Sequence, residues 1–259
     1  MTLRKDLPMG AEGASFYAVG AVAVLVAAIS KGGFGSGAAF AGAVILALVT
    51  PPDRALAIML PLLMVMDATA LPAFWRRWDS GAAWALCCGA VPGVALAALV
   101  MSRAPADLIR VLIGAIALGF VAFQLARARG LVRPEGLPAG PLAGGAWGAV
   151  TGFTSFVSHA GGPPAAVYLL SRGVAKEAYQ ATTVVTFWAI NLMKIGPYAA
   201  LGVFDRQALT AAALLSPVAV VGIGLGVLAH RAMPAIWYFR IMYALLVVAG
   251  ARLVWTGLA

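Results

Sequence analysis

Of the nine acidic residues in this 259-residue chain, eight fall at the ends of apolar segments or in the loops between them. The ninth, Asp67, stands in the middle of the apolar run MLPLLMVMDATALPAFW. A carboxylate at the centre of a membrane-length helix costs at least about 2.5–3.5 kcal/mol on insertion scales, so it must face a partner or a cavity, or hold a proton. Asp67 therefore reads as a coupling group or an organiser of a site. The plainer alternative is a structural hydrogen bond to a neighbouring helix. In TTVVTFWAINLMKIGPY, Asn191 takes the corresponding place, and Lys194 follows one helical turn later on the same face. For these two the plainer alternatives are interhelical hydrogen bonding and snorkelling towards an interface.

Lys31 and His159 form a sharper pair. They stand in SKGG (Ser30–Gly33) and SHAGG (Ser158–Gly162), each ending an apolar segment where glycines begin. Half-helices are expected to follow from about Gly35 and Pro163. Helix N-termini carry unpaired N–H groups and a partial positive charge, and so attract anions. Lys31 adds a full charge and His159 a switchable one; Ser30, Ser36 and Ser158 add hydroxyls. The candidate binding set is Lys31, Gly32, Gly33, Ser36, His159, Gly161, Gly162, Asn191 and Lys194, with Asp67 as the coupling residue. Such a set suits a small oxyanion and does not suit a cation. Alternatively the glycines only let helices pack closely, as Gly144, Gly148 and Gly152 do at four-residue spacing, which leaves Lys31 unexplained. Catalytic chemistry is not visible. Ser158 and His159 are neighbours that point in different directions, and the chain has no phosphate loop, no zinc-spaced ligand set and no dinucleotide fingerprint. The expectation is no enzyme, no cofactor and no metal.

The elements that must position these residues follow from composition. The chain is 63% hydrophobic and 10% charged, with a mean hydropathy of +0.95, against about 45–50% and about 25% in soluble domains. Lipid must be its solvent, and at about 20 residues per spanning helix there is room for eight to ten. The net charge of +9 comes from 18 Lys and Arg placed mostly at segment ends, where they meet anionic headgroups; nucleic acid is excluded as a partner. Cys87 and Cys88 are adjacent in an apolar run and read as packing residues. Arg4 and Lys5 before an apolar stretch resemble a signal peptide, but that stretch has a counterpart in the second half and reads as retained.

Apolar stretches fall at 15–30, 37–49, 55–75, 81–101, 108–126, 141–158, 164–171, 179–203, 208–229 and 236–255. The order is long, short, long, long, long, and then the same again, around a polar linker. This divides the chain into an extension (1–14), a first membrane repeat (15–127), a linker (128–140) and a second repeat (141–259). Landmarks recur in order: SKGG with SHAGG, Asp67 with Asn191, Asp79 with Asp205, and Pro105 with Pro234, each proline preceded by an arginine (Arg103, Arg231). An ordered series argues for duplication. The second segments, about 20 Å and about 12 Å long as helices, cannot span a core of about 30 Å, so they are broken or re-entrant. Each half then crosses three or five times. Either number is odd, so tandem halves must be inverted. The predicted fold is an all-α integral membrane protein of two inverted-topology repeats with about five membrane segments each. The excess of Lys and Arg in loops with Arg76, Arg127, Arg172 and Arg231 puts that side in the cytoplasm and both termini outside.

SKGGFGSGAAFAG, PPDRALAIMLPLLMVMDATAL, TGFTSFVSHAGGPPAAVYLL and ATTVVTFWAINLMKIGPY together resemble the sulfite exporter TauE/SafE family of bacterial membrane permeases, over about residues 15–255. Here the first glycine motif is interrupted by Phe34 and Ser36, and the second reads AGGPP. The resemblance implies a multi-pass protein of the bacterial plasma (inner) membrane with about eight helices. It also implies a small anionic substrate such as sulfite, sulfoacetate or another organosulfonate. With the duplicated architecture, this gives a secondary transporter, exporting its substrate by alternating access around a midplane site between the repeats. Membrane lipid is a partner, and a coupling proton or sodium ion remains open. The competing readings are an anion channel and a non-transporting membrane scaffold.

Overall fold

The computed structural model describes residues 13–33, 39–232 and 235–259. Ser36 and Pro234, both singled out above, lie outside the described residues. Regular structure among the described residues is helical throughout. The helices are α1 (Ala14–Gly33), α2 (Ala41–Leu46), α3 (Pro52–Ala70), α4 (Ser80–Met101), α5 (Ala106–Ala128), α6 (Pro141–Ser158), α7 (Gly162–Ser171), α8 (Lys176–Ala200), α9 (Arg206–Ala232) and α10 (Ala235–Leu258).

Local chemistry explains many of the boundaries. The Asp79 carboxylate accepts the Ala82 N–H at 2.9 Å and starts α4. The Asp205 carboxylate accepts the Ala208 N–H in the same way at the start of α9. Both are N-caps, satisfying donors that a helix start leaves unpaired. Prolines occupy the first turns of α3, α6 and α7, where a missing N–H costs nothing.

Among the described residues, six helices are long and apolar enough to cross a membrane, within Ala14–Gly33, Pro52–Phe74, Ser80–Met101, Ala106–Ala128, Arg206–Gly226 and Arg240–Leu258. They correspond to α1, α3, α4, α5, α9 and α10. Helices α6 and α8 are not among these six, because α6 is rich in Gly, Ser and Thr and α8 carries Lys176, Glu177, Asn191 and Lys194. Helices α2 and α7, of six and ten residues, rise about 9 and 15 Å and cannot cross. Large apolar side chains such as Trp84, Leu142, Val248 and Trp255 stay exposed, as a lipid-facing surface requires. Cys87 is half-buried and Cys88 exposed, and both are free thiols.

The helices pack in exchanged pairs. Within each set of five, the first helix lies along the fourth of the other set: α1 on α9, and α6 on α4. Likewise α3 contacts α9 while α8 contacts α4, and α5 lies along α10. The α4–α6 contact is made backbone to backbone. A Cβ on Gly93 would sit 2.0 Å from the Ala149 carbonyl oxygen, and one on Gly152 would sit 2.4 Å from that of Ala90. Small residues permit this approach where no hydrophobic force joins helices in lipid. Gly144 and Gly148 lie on the same contact face.

Candidate functional site

Four helices meet around the C-terminal half of α3. The last turn of α1 brings Lys31, α3 brings Asp67, α8 brings Asn191 and Lys194, and the end of α6 brings Ser155 and His159. All six are buried. Lys31 Nζ lies 2.7 Å from Asp67 Oδ1, and Asn191 Nδ2 donates to Asp67 Oδ2 at 2.9 Å. Each carboxylate oxygen therefore has one specific partner, and the buried charge is balanced within its first contacts. On the other side of the site, Lys194 Nζ donates to the Ser155 carbonyl (3.1 Å), to Ser155 Oγ (3.2 Å) and to His159 Nδ1 (2.8 Å). His159 Nε2 lies 3.2 Å from the Leu56 carbonyl oxygen. A carbonyl only accepts, so Nε2 carries the proton and Nδ1 receives the lysine. In this arrangement the imidazole is neutral.

The sequence dictates much of this geometry locally. Pro61 inside α3 withdraws the N–H that would hold the Ala57 carbonyl, opening the helix ladder beside Leu56. The α6 end closes on a left-handed residue, with His159 N–H on Ser155 O and Ala160 N–H reaching back to Thr154 O. His159 occupies its left-handed position at φ 58°, a place usually held by glycine, and a side chain there costs about 1–2 kcal/mol. Such strain persists where the side chain is needed. Tyr198 OH donates to the Phe156 carbonyl at 2.6 Å and ties α8 to this turn. Gln180 Nε2 donates to the Lys31 carbonyl and satisfies an orphan at the end of α1.

Lys31, Leu63, Ser155, His159, Phe187 and Asn191 enclose, with Gly162, a cavity of about 10 Å³. That is close to the least space that holds one water. Of the residues expected from sequence, Lys31, His159, Gly162 and Asn191 thus share one cavity wall, while Asp67 and Lys194 hold them from behind. Gly161 lies against the Phe187 ring and Ser155. Gly32 and Gly33 do not turn to the cavity: Cβ atoms there would meet the Ile223 and Gly226 carbonyl oxygens at 2.5 and 2.2 Å, so they seat α1 on α9.

The second half-helix starts at Gly162, beside the expected Pro163, but Pro163 and Pro164 bring no N–H, and the Ala165 N–H is already spent on Gly161 O. Gly35, the expected start of the first half-helix, lies outside the described residues; α2, described from Ala41, has six residues and is too short to carry an appreciable end charge. Asp67 is paired with Lys31, and Lys194 is engaged by His159. Sequence reasoning missed Ser155, although it precedes His159 by four residues on one helix face, and it missed Gln180 and Phe187, which carry no signal of their own.

A protein-family model described as Sulfite exporter TauE/SafE matches residues 20–253, a span containing every residue of the cavity. No curated protein and no solved structure gives a significant match.

Proposed function

The chain belongs to the sulfite exporter TauE/SafE family, and on that premise we propose that it is a secondary transporter exporting small sulfur-containing anions, such as sulfite or an organosulfonate, across a bacterial inner membrane. The observation that carries this reading is a small cavity among membrane helices with Lys31 in its wall and, directly behind that wall, a second buried lysine, Lys194, and a single buried carboxylate, Asp67. With Lys31, Lys194 and Asp67 ionised, the site holds one positive charge in excess. Intramembrane charges of this kind mark substrate pathways. Lys31, Asn191 and the Gly162 N–H receive the anion, while His159 forms the wall beside them and Lys194 supplies the excess charge behind it. Gly32, Gly33 and Gly161 hold the surrounding helices close.

A cavity of about 10 Å³ is too small for a sulfur oxyanion, so loading must widen it. The nearest movable contact is the Lys31–Asp67 pair. When Lys31 turns to the anion, Asp67 loses its counter-ion and takes up a proton, which makes Asp67 the coupling residue and a proton the coupling ion. A site that must open and reclose fits alternating access better than a continuous pore. The exchanged pairing of α1 with α9 and α6 with α4 supports two inverted repeats, 15–127 and 141–259, with the cavity at their meeting point.

The test is sulfite counterflow in proteoliposomes without ATP. The parent should give saturable exchange inhibited by organosulfonates, and Lys31→Gln should weaken half-saturation by about tenfold or more, as loss of a charge-assisted contact does. Flux that does not saturate would identify a channel. A folded Lys31→Gln protein with parental exchange would remove the anion site from Lys31, and carriage of a cation in place of sulfur anions would overturn the substrate class.

A further inference from the structure

A second cavity lies where the α2–α3 turn meets the start of α5 and the end of α10. It measures about 310 Å³ and is lined by Thr50, Arg110, Arg252 and Thr256 with apolar neighbours from Ala47 to Pro51. No carboxylate lines it. Arg110 is partly buried and is paired along its own helix with Asp107, which leaves further guanidinium donors of its planar fork unused. Arg252 has no ion-pair partner among the described residues. Thr256 Oγ1 donates to the Arg252 carbonyl at 2.9 Å and keeps its lone pairs. The two arginines come from different helices, and those helices are clamped together at this end. A Cβ on Gly257 would lie 2.7 Å from the Asp107 carbonyl oxygen and 3.2 Å from Arg110 Cβ, so the backbones touch and the cavity is built in advance.

We propose that this cavity is a second oxyanion site, which takes a phosphate or sulfonate-type group between Arg110 and Arg252. Guanidinium forks match the paired oxygens of such groups. Two placements narrow the sources. Arg110 stands in the second turn of α5 and Arg252 in the last two turns of α10, the depth at which a spanning helix meets lipid headgroups. The cavity also stands one short helix from the central site, since Ala39 borders the one and Ala47 the other, with α2 between them. The group is therefore either the phosphate of an anionic lipid or the transported anion itself. The second source rests on the function proposed above; the first does not.

Native mass spectrometry with phosphatidylglycerol, and calorimetric titration of delipidated protein with sulfite, separate these sources. Parent, Arg252→Gln, Arg110→Gln/Arg252→Gln and Lys31→Gln proteins are compared, with thermal melting to confirm folding. Loss of retained lipid in the arginine variants, with sulfite binding unchanged, identifies the lipid. A fall in sulfite stoichiometry from two to one in the arginine variants, with lipid retention unchanged, identifies the transported anion. Lys31→Gln should leave this site intact, so failure of sulfite to bind the central cavity is read independently of it. The Arg252→Gln substitution touches no ion pair and keeps the proposal testable if the double variant unfolds. Each positive result should appear as about a tenfold or greater loss of affinity. Folded arginine variants that match the parent in both lipid retention and sulfite stoichiometry overturn the proposal.

Discussion

At the places that the sequence landmarks pair between the two halves, the molecule does opposite things with charge. In the first half, Lys31 at the end of α1 and Asp67 in α3 face each other at 2.7 Å and neutralise one another. In the second half, the same places hold His159 at the end of α6 and Asn191 in α8, both uncharged, and a lysine has been added one turn further along, at Lys194. The residue one turn beyond Asp67 is Ala70. Helix breaks and caps recur while the chemistry between them diverges. Positions set by the backbone tolerate little change, because caps and glycine contacts have few substitutes. The charges they aim at the cavity are free to be redistributed, and here the excess falls on one half.

The largest expected effect is all or none and concerns whether the halves really oppose each other. In a Cys87→Ser, Cys88→Ser background, Ser80→Cys and Gln207→Cys stand at the equivalent starts of α4 and α9. An impermeant thiol reagent should reach them from opposite sides of the membrane. Labelling of both from one side sinks the inverted reading, and the comparison of halves with it.

The next effect sharpens the contrast in charge. Asp67→Ala strands the buried Lys31 and should cost about 3–5 kcal/mol, while Lys31→Met with Asp67→Leu should recover most of that. Lys194→Met leaves no carboxylate behind, only the Ser155 carbonyl and hydroxyl and the His159 Nδ1 acceptor, and should cost about 1–3 kcal/mol. Thermal denaturation in detergent ranks the three. Equal losses for Asp67→Ala and Lys194→Met would mean that the two halves are electrostatically alike after all.

The smallest effect lies at the paired caps. Asp79 does more than Asp205: besides capping α4 it holds Arg172 at 2.9 Å and its N–H donates to Thr182, joining the α3–α4 turn to the end of α7 and to α8. Partial burial acts to raise the Asp79 carboxyl, but the Ala82 N–H and the Arg172 guanidinium outweigh it, and the group rests below the usual carboxylate range. Its folded value is below its unfolded one. The stabilisation is thus complete above about pH 4 and fades as pH falls through the lowered value. Asp79→Ala should cost about 1–2 kcal/mol and Asp205→Ala about 0.5–1 kcal/mol, and Asp79→Ala should flatten the acid limb of a melting curve taken between pH 5 and pH 3.

Much of this frame is legible in the sequence because it is carried by local signals. Asp79 and Asp205 read as segment landmarks and both prove to be caps; Asp67 and Asn191 read as equivalents and are found hydrogen-bonded to each other. The Lys31–Asp67 pair is not legible, since no local pattern says that the end of α1 meets the last turn of α3. The Leu56 carbonyl carries no side-chain signal at all. Gly32 and Gly33 are ambiguous in sequence, where a glycine that admits a ligand and one that admits another helix look the same. The hydropathy of α6 and α8 misleads in a useful direction: these helices are less apolar because they carry the cavity.

The exchanged packing has a consequence for how the protein is made. Helix α1 leaves the ribosome well before α9, the helix its Gly32–Gly33 face fits, which begins roughly 170 residues later, some 10–35 s at about 5–20 residues per second. Over that interval α1 sits in the bilayer with a bare backbone strip turned to lipid, and the first five helices can form no finished unit by themselves. The last helices to emerge are the ones that complete the first, so a chain that stops before α9 loses α1 as well as its own C-terminus.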